Sequence, residues 1–292
     1  TSLGSLVSQI STTTRSSNYS LRNLVNTVSG LDLSITNNSS GLTYVPTSNT
    51  LFVVHNNTIG LDSTIDEIST SGSLIRTITC TACGDTEGIT LVSSMASTTA
   101  PGVYDHTFMI STENNTSSAR IFRVVIPSTG SVTVNASDYY DTGITHSSNE
   151  GLEGIAYVPS TGNFIVARES STPALYEVVL GTSHAATSTQ ICTNLTWNAA
   201  ITDFSDLTLK GNTLFVLSEL TNPSKLVPVD ITSTSTCAYV DSDNDGDVSS
   251  GDTGNWLTSI PVGVTDQAEG VTWDATGDTL YVRSEEHTSE LQ

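Results

Sequence analysis

The sequence predicts an all-β protein, a β-propeller of four-stranded antiparallel blades, five in number with six as the alternative. Three observations carry this. One stretch recurs along the chain: GLEGIAYVPSTGNFIVARE at 151–169 returns as SGLTYVPTSNTLFVVHNN from Ser40, FSDLTLKGNTLFVLSE from Phe204 and AEGVTWDATGDTLYV from Ala268. A looser copy joins EGITLVSS from Glu87 to TFMIS at 107–111. Each copy is two apolar runs around Pro, Ser, Thr, Gly or Asn, the pattern of two strands joined by a short loop. Finally, no stretch shows helical periodicity over two turns, and most copies are followed by further β-rich runs.

The elements follow in order. Residues 1–35 precede the first repeat, and a propeller must join its first blade to its last. An N-terminal strand paired into the last blade does this and hides sheet edges. Residues 25–28 or 31–35 would supply it. The same strand, or the blade edges, would also suit self-assembly with a neighbouring molecule. The first blade runs to about Cys80, its outer strands lying in TIDEISTSGSLIRTIT around Ser71-Gly72. The second covers about 85–145, with outer strands in ARIFRVVIPSTGSVTVN. The third covers about 150–195 through ALYEVVL and STQICTNLTW, the fourth opens at Asp203 and includes KLVPVDI, and a fifth opens at Ala268. Residues 283–292, RSEEHTSELQ, lack alternation and match the translation of a common sequencing adapter. They are expected to be a non-native tail on a single domain spanning 1–282, with the natural chain continuing past Val282.

Charge narrows the function. Nine basic residues face 30 acidic ones, a formal net charge of −21. Such a surface repels nucleic-acid phosphates and anionic membranes. No apolar run approaches the roughly 20 residues needed to span a bilayer. Low lysine with abundant Ser and Thr points to an extracellular or cell-surface protein. N-x-S/T sequons stand at Asn18, Asn37, Asn38, Asn56, Asn114, Asn115, Asn135 and Asn194, as glycan acceptors or as plain polar turns.

Four cysteines in such a chain suggest two disulfides. Cys192 with Cys237 would anchor the acidic stretch that follows, and Cys80 with Cys83 would close on itself. The C-x-x-C spacing also fits half a zinc site or a redox motif, but no second pair and no βαβ context accompany it.

That acidic stretch, DSDNDGDVSSGD at 241–252, matches the calcium-loop template. Asp241, Asp243 and Asp245 alternate oxygen ligands, Gly246 permits the sharp turn and Asp247 offers its carbonyl. Ser249 and Asp252 take the ninth and twelfth places. The loop, an insertion at about 238–258, resembles those of dockerins and other extracellular calcium repeats. Ca²⁺ is the expected ion.

A second acidic set follows from strand geometry. Glu87, Glu153 and Glu269 begin first strands, whereas Glu113, Glu169 and Glu219 follow second strands. In antiparallel pairs those ends coincide, so the carboxylates should gather at one mouth of the channel, with Asp203 and Asp206 beside them. They would form a cation or substrate site, or else each would accept backbone N–H groups of the adjacent blade. The five histidines include His106 beside Asp105, and none has zinc-ligand spacing. No nucleophile elbow, phosphate loop or dinucleotide fingerprint is present. Trp197, Trp256 and Trp273 read as blade-packing residues.

At SGLTY with NTLFVVHN, GDTEGI, GLEGIAY, DFSDLTL with NTLFVLSE, and QAEGV, the chain is similar to the SdiA-regulated domain family of bacterial β-propellers, over about residues 20–282. The resemblance implies a five- or six-bladed propeller associated with calcium and no settled activity. The departures are the acidic insertion after Cys237 and the abrupt end after Val282. The expected function is therefore that of a secreted or surface calcium-binding propeller with a binding, adhesion or structural-assembly role. The alternative is a calcium-dependent propeller hydrolase, phytase- or lactonase-like, using the acidic face.

Overall fold

The computed structural model describes residues 7–11, 39–55, 62–98, 100–113, 118–130, 133–135, 138–146, 150–169, 172–195, 203–218, 225–239, 268–277 and 279–284. Its strands are, in chain order, β1 (Val7–Ser11), β2 (Ser39–Val45), β3 (Thr50–His55), β4 (Ser63–Ser69), β5 (Leu74–Thr81), β6 (Thr86–Ala96) and β7 (Tyr104–Thr112). There follow β8 (Arg120–Pro127), β9 (Thr133–Asn135), β10 (Tyr139–Asp141), β11 (Leu152–Val158), β12 (Asn163–Arg168), β13 (Ala174–Leu180) and β14 (Ala186–Ile191). The remaining six are β15 (Phe204–Lys210), β16 (Thr213–Ser218), β17 (Lys225–Asp230), β18 (Ala238–Tyr239), β19 (Ala268–Trp273) and β20 (Thr279–Ser284). No helix occurs among the described residues, so none is long and apolar enough to cross a membrane.

The strands form the blades of a β-propeller. Four sheets have four or more strands: β2-β3-β4-β5-β9, β10-β8-β7-β6, β11-β12-β13-β14 and β15-β16-β17-β18. A further sheet, β1-β20-β19, has three. The described residues thus complete four blades, against the five or six expected. The innermost strands pack in a ring: β2 on β6, β6 on β11, β11 on β15, β15 on β19, and β19 back on β2.

Each blade is sandwiched between neighbours, so both faces of its inner strands are covered. This is why Leu51, Phe52, Val53 and Val54 are all buried in one unbroken apolar run. Apolar seams join neighbouring sheets: Phe52 meets Phe108 at 4.8 Å between ring centroids, and Phe215 meets Trp273 at 5.1 Å. The inner hairpins turn through a left-handed residue, Gly162 at φ 77° in β11–β12 and Asn49 at φ 55° in β2–β3.

Three local assignments change. A strand not foreseen, Val7–Ser11, pairs antiparallel with β20; residues 25–28 and 31–35 lie outside the described residues. The second blade takes its outer strand from Tyr139–Asp141; the expected one, Thr133–Asn135, instead pairs parallel with β5 of the first blade. A Ser-Thr-Gly turn marks a reversal but does not name the edge to which the chain then goes. Finally, β20 continues through Arg283 and Ser284, which pair with β19, so the strand does not stop at Val282. TLYVRSE at 279–285 repeats TLFVLSE at 213–219. Residues 285–292 lie outside the described set.

Both expected disulfides are present, with Cα separations of 5.5 Å for Cys80–Cys83 and 4.9 Å for Cys192–Cys237. The second ties the end of β14 to the start of β18 and so clamps the outer edges of two neighbouring blades. Such bonds persist in an oxidising environment.

Candidate functional site

One device, repeated in every inner strand, builds the site. A β-bulge interrupts the register between Ser39 and Leu42, Thr86 and Ile89, Leu152 and Ile155, Phe204 and Asp206, and Ala268 and Gly270. A bulge bends its strand and re-aims a side chain. The bulges hold the pairs Ser40-Gly41, Glu87-Gly88, Glu153-Gly154, Ser205-Asp206 and Glu269-Gly270. The glycines allow blades to touch through backbone. A Cβ on Gly41 would lie 2.5 Å from the Glu87 carbonyl oxygen, one on Gly88 2.6 Å from that of Glu153, and one on Gly154 2.6 Å from Leu207 N. Close packing at the glycine leaves the preceding side chain at the channel mouth.

Second strands deliver the other carboxylates. Glu113 follows β7 and Glu169 follows β12; their amides bond the carbonyls of Asp85 and Gly151 at 3.0 and 3.2 Å. Gly151 makes room, since a Cβ there would lie 2.5 Å from Glu113 Cα. The result is two triads that share Glu113. One oxygen each of Asp85, Glu87 and Glu113 lies within 4.8 Å of the others, and the same holds for Glu113, Glu153 and Glu169. Two ligands on opposite sides of one Ca²⁺, each about 2.4 Å away, are separated by about that distance.

Proton affinities rise accordingly. Burial pushes the Glu87 carboxyl well above its usual range, opposed by the Ser40 hydroxyl that donates to it at 2.7 Å and reinforced by Asp85, Glu113 and Glu169. Burial does the same to Glu153, helped by Glu87, Glu169, Glu113 and Glu269. Glu169 is pushed up to about 8, first by burial and then by its hydrogen bond with Asp203. Asp85 rises to about 6 through burial and the charge of Glu113. Glu113 is raised by burial, and its buried Oε1 has no hydrogen-bond partner among the described residues. Carboxylates this close must share protons or a cation.

Asp206 stands apart, although sequence reasoning grouped it with the cluster. Fully buried, it takes the place of a bulge glycine and accepts N–H groups of Leu207 and Val271, both at 2.8 Å. It staples blades and faces amides. Asp203 does join the cluster, through Glu169. Asp85 was missed as a ligand; its signal was present, because it stands two residues before Glu87 as Asp203 stands two before Ser205. Glu269 reaches the cluster electrostatically through Glu153.

Other candidates fall elsewhere. The whole calcium loop, Asp241, Asp243, Asp245, Asp247, Ser249 and Asp252, lies outside the described residues, as do Glu219, Asn18, Asn37, Asn38, Asn56, Asn114 and Asn115. Asn135 lies in β9, and Asn194 donates to the Cys237 carbonyl at 2.7 Å. His106 is buried between Phe52 and Phe108 and bonded to Ser94, a packing residue with a proton affinity lowered by burial.

The bulge repeat and its order along the chain coincide with a known family: the SdiA-regulated profile matches residues 17–288. The chain belongs to the SdiA-regulated family. The matched range includes all the bulges that place the carboxylates. No curated protein sequence matches the chain. Among solved structures it is similar to a protein of Bacteroides uniformis ATCC 8492 described as a candidate 6-phosphogluconolactonase, at 10% identity and a TM-score of 0.43, over 81% of this chain and 67% of that one.

Proposed function

We propose that this member of the SdiA-regulated family is a secreted or surface-attached propeller that binds calcium and acts as a binding or assembly module. The observation that carries the reading is the orphaned Glu113 Oε1 at the junction of two carboxylate triads. An all-oxygen donor set of this kind suits a hard divalent cation and not a soft one. Asp85, Glu87, Glu113, Glu153 and Glu169, the members of the two triads, would hold the ion, with Asp203 and Glu269 behind them. Bound there, the ion joins blades that otherwise repel across the channel. The loop at 241–252 would take a second ion, and the oxidised cysteines suit a compartment where external calcium supplies both. The closing strand β1 and the blade edges would serve contacts between copies or with glycans.

Equilibrium dialysis against calcium tests this. The wild-type chain should bind two ions, Glu113→Gln one and Asp243→Ala one. A wild-type stoichiometry unaffected by Glu113→Gln would remove the channel-mouth site.

A further inference from the structure

The inner strands also line a cavity that includes none of the clustered carboxylates. The cavity, of about 210 Å³, lies where the inner strands continue past their bulges. Leu42, Ile89, Ile155, Leu207 and Val271 line its inner end, each at most 3% exposed, and follow the bulges directly in sequence. They stand between the cavity and the acidic mouth.

Its polar groups have a common character. Thr43, Thr90 and Thr272 occupy one repeat position, and each hydroxyl accepts a main-chain N–H of the next blade: Leu91 at 3.3 Å, Tyr157 at 3.2 Å and Tyr44 at 3.2 Å. None of the three hydroxyls donates to an acceptor among the described residues. Trp273 also lines the cavity, and the residue is 7% exposed. The three hydroxyls each have a hydrogen to give. Around them the lining is apolar or aromatic, including Leu91, Tyr157 and Leu209. Asp274 lines the cavity too, close enough to raise the Tyr44 hydroxyl alongside burial.

We propose that this cavity binds one neutral pyranose ring, whose oxygens accept hydrogen bonds from Thr43, Thr90 and Thr272. A hard cation would meet a single carboxylate, Asp274, among hydroxyls already engaged as acceptors and apolar walls. An anion would meet Asp274 in a chain of net charge −21. A wholly apolar ligand would leave the buried donors unmatched, at about 1–3 kcal/mol each. A sugar brings oxygen acceptors on its rim and C–H faces for the apolar walls. The volume admits a single ring, below the roughly 300 Å³ where drug-sized pockets begin. The site is separate from the carboxylates and stands whether or not they bind calcium.

The test is saturation-transfer NMR on the full chain with methyl β-D-glucopyranoside, methyl β-D-galactopyranoside and methyl α-D-mannopyranoside, with gluconate and choline as charged controls. At least one glycoside should bind saturably in the millimolar range. Thr90→Val, which removes one donor, should weaken it about tenfold, the value of one hydrogen bond. Thr90→Val with Thr272→Val should weaken it further. Thermal melts will show whether the double variant is folded; if it is not, Thr90→Val alone decides. No saturable binding of any glycoside up to about 100 mM, two decades above the millimolar range, would overturn the proposal. So would unchanged affinity in a folded Thr90→Val, or tighter binding of gluconate or choline.

Discussion

Calcium uptake at the channel mouth should release protons, in an amount the structure sets. With Glu169 at about 8 and Asp85 at about 6, these carboxyls at pH 7 are about 90% and about 10% protonated respectively. Binding an ion there should therefore expel about one proton from this pair, and more if Glu87 and Glu153 also carry one. Apparent affinity should fall about tenfold or more between pH 7 and pH 6, and level off above pH 9, where Glu169 is already ionised. Calorimetric titration in Tris and in HEPES reads the release directly, because their ionisation enthalpies differ. Glu113→Gln isolates the mouth from any ion taken by the loop at 241–252. An apparent enthalpy independent of buffer, with affinity flat from pH 6 to pH 8, would refute the reasoning.

The same protonation fixes a stability profile. Both groups have folded-state values above their ordinary ones, so the folded state binds protons more tightly than the unfolded chain. Stability is therefore greatest below the unfolded values and is lost as pH rises, from 3.8 to about 6 for Asp85 and from 4.5 to about 8 for Glu169. The calcium-free protein should melt lower at pH 8.5 than at pH 6. Calcium at 100 times its dissociation constant should restore about 2.7 kcal/mol.

Three further outcomes follow. Gly88→Ala would set a Cβ 2.6 Å from the Glu153 carbonyl oxygen and should cost about 1–3 kcal/mol in urea unfolding, with no change in charge. Replacing Cys192 and Cys237 by Ser should cost about 4 kcal/mol, the chain-entropy value for their sequence separation of 45, read from the same unfolding curves. Chelation should expose the segment between residues 237 and 256 to protease while most of the propeller resists; equal cleavage with and without chelator would count against a calcium loop there.

The propeller was legible because its inner hairpins repeat, and the carboxylate cluster because antiparallel pairing brings strand starts and ends together. Glu87, Glu113, Glu153 and Glu169 converge for that reason alone. Connections to outer strands were not legible. Thr133–Asn135 carries the right alternation for either of two neighbouring sheets, and only tertiary packing chooses β5. Val7–Ser11 was not legible either: it is short and follows no repeat, and only its pairing with β20 marks it as part of the last sheet.

Asp206 shows how a repeat can conceal a change of role. At its bulge position the other blades carry glycine, which lets neighbouring backbones meet without a side chain between them. A carboxylate there fills the space and must capture the amides it displaces from contact, as it does with Leu207 and Val271. Ser205 takes the position that holds Glu in three other blades, and its hydroxyl donates to the Ala268 carbonyl. The fourth blade thus uses its acidic residue to hold the ring together, whereas the second and third turn theirs into the channel. The ring is symmetric in backbone and asymmetric in charge, and that asymmetry concentrates the carboxylates on one side of the mouth.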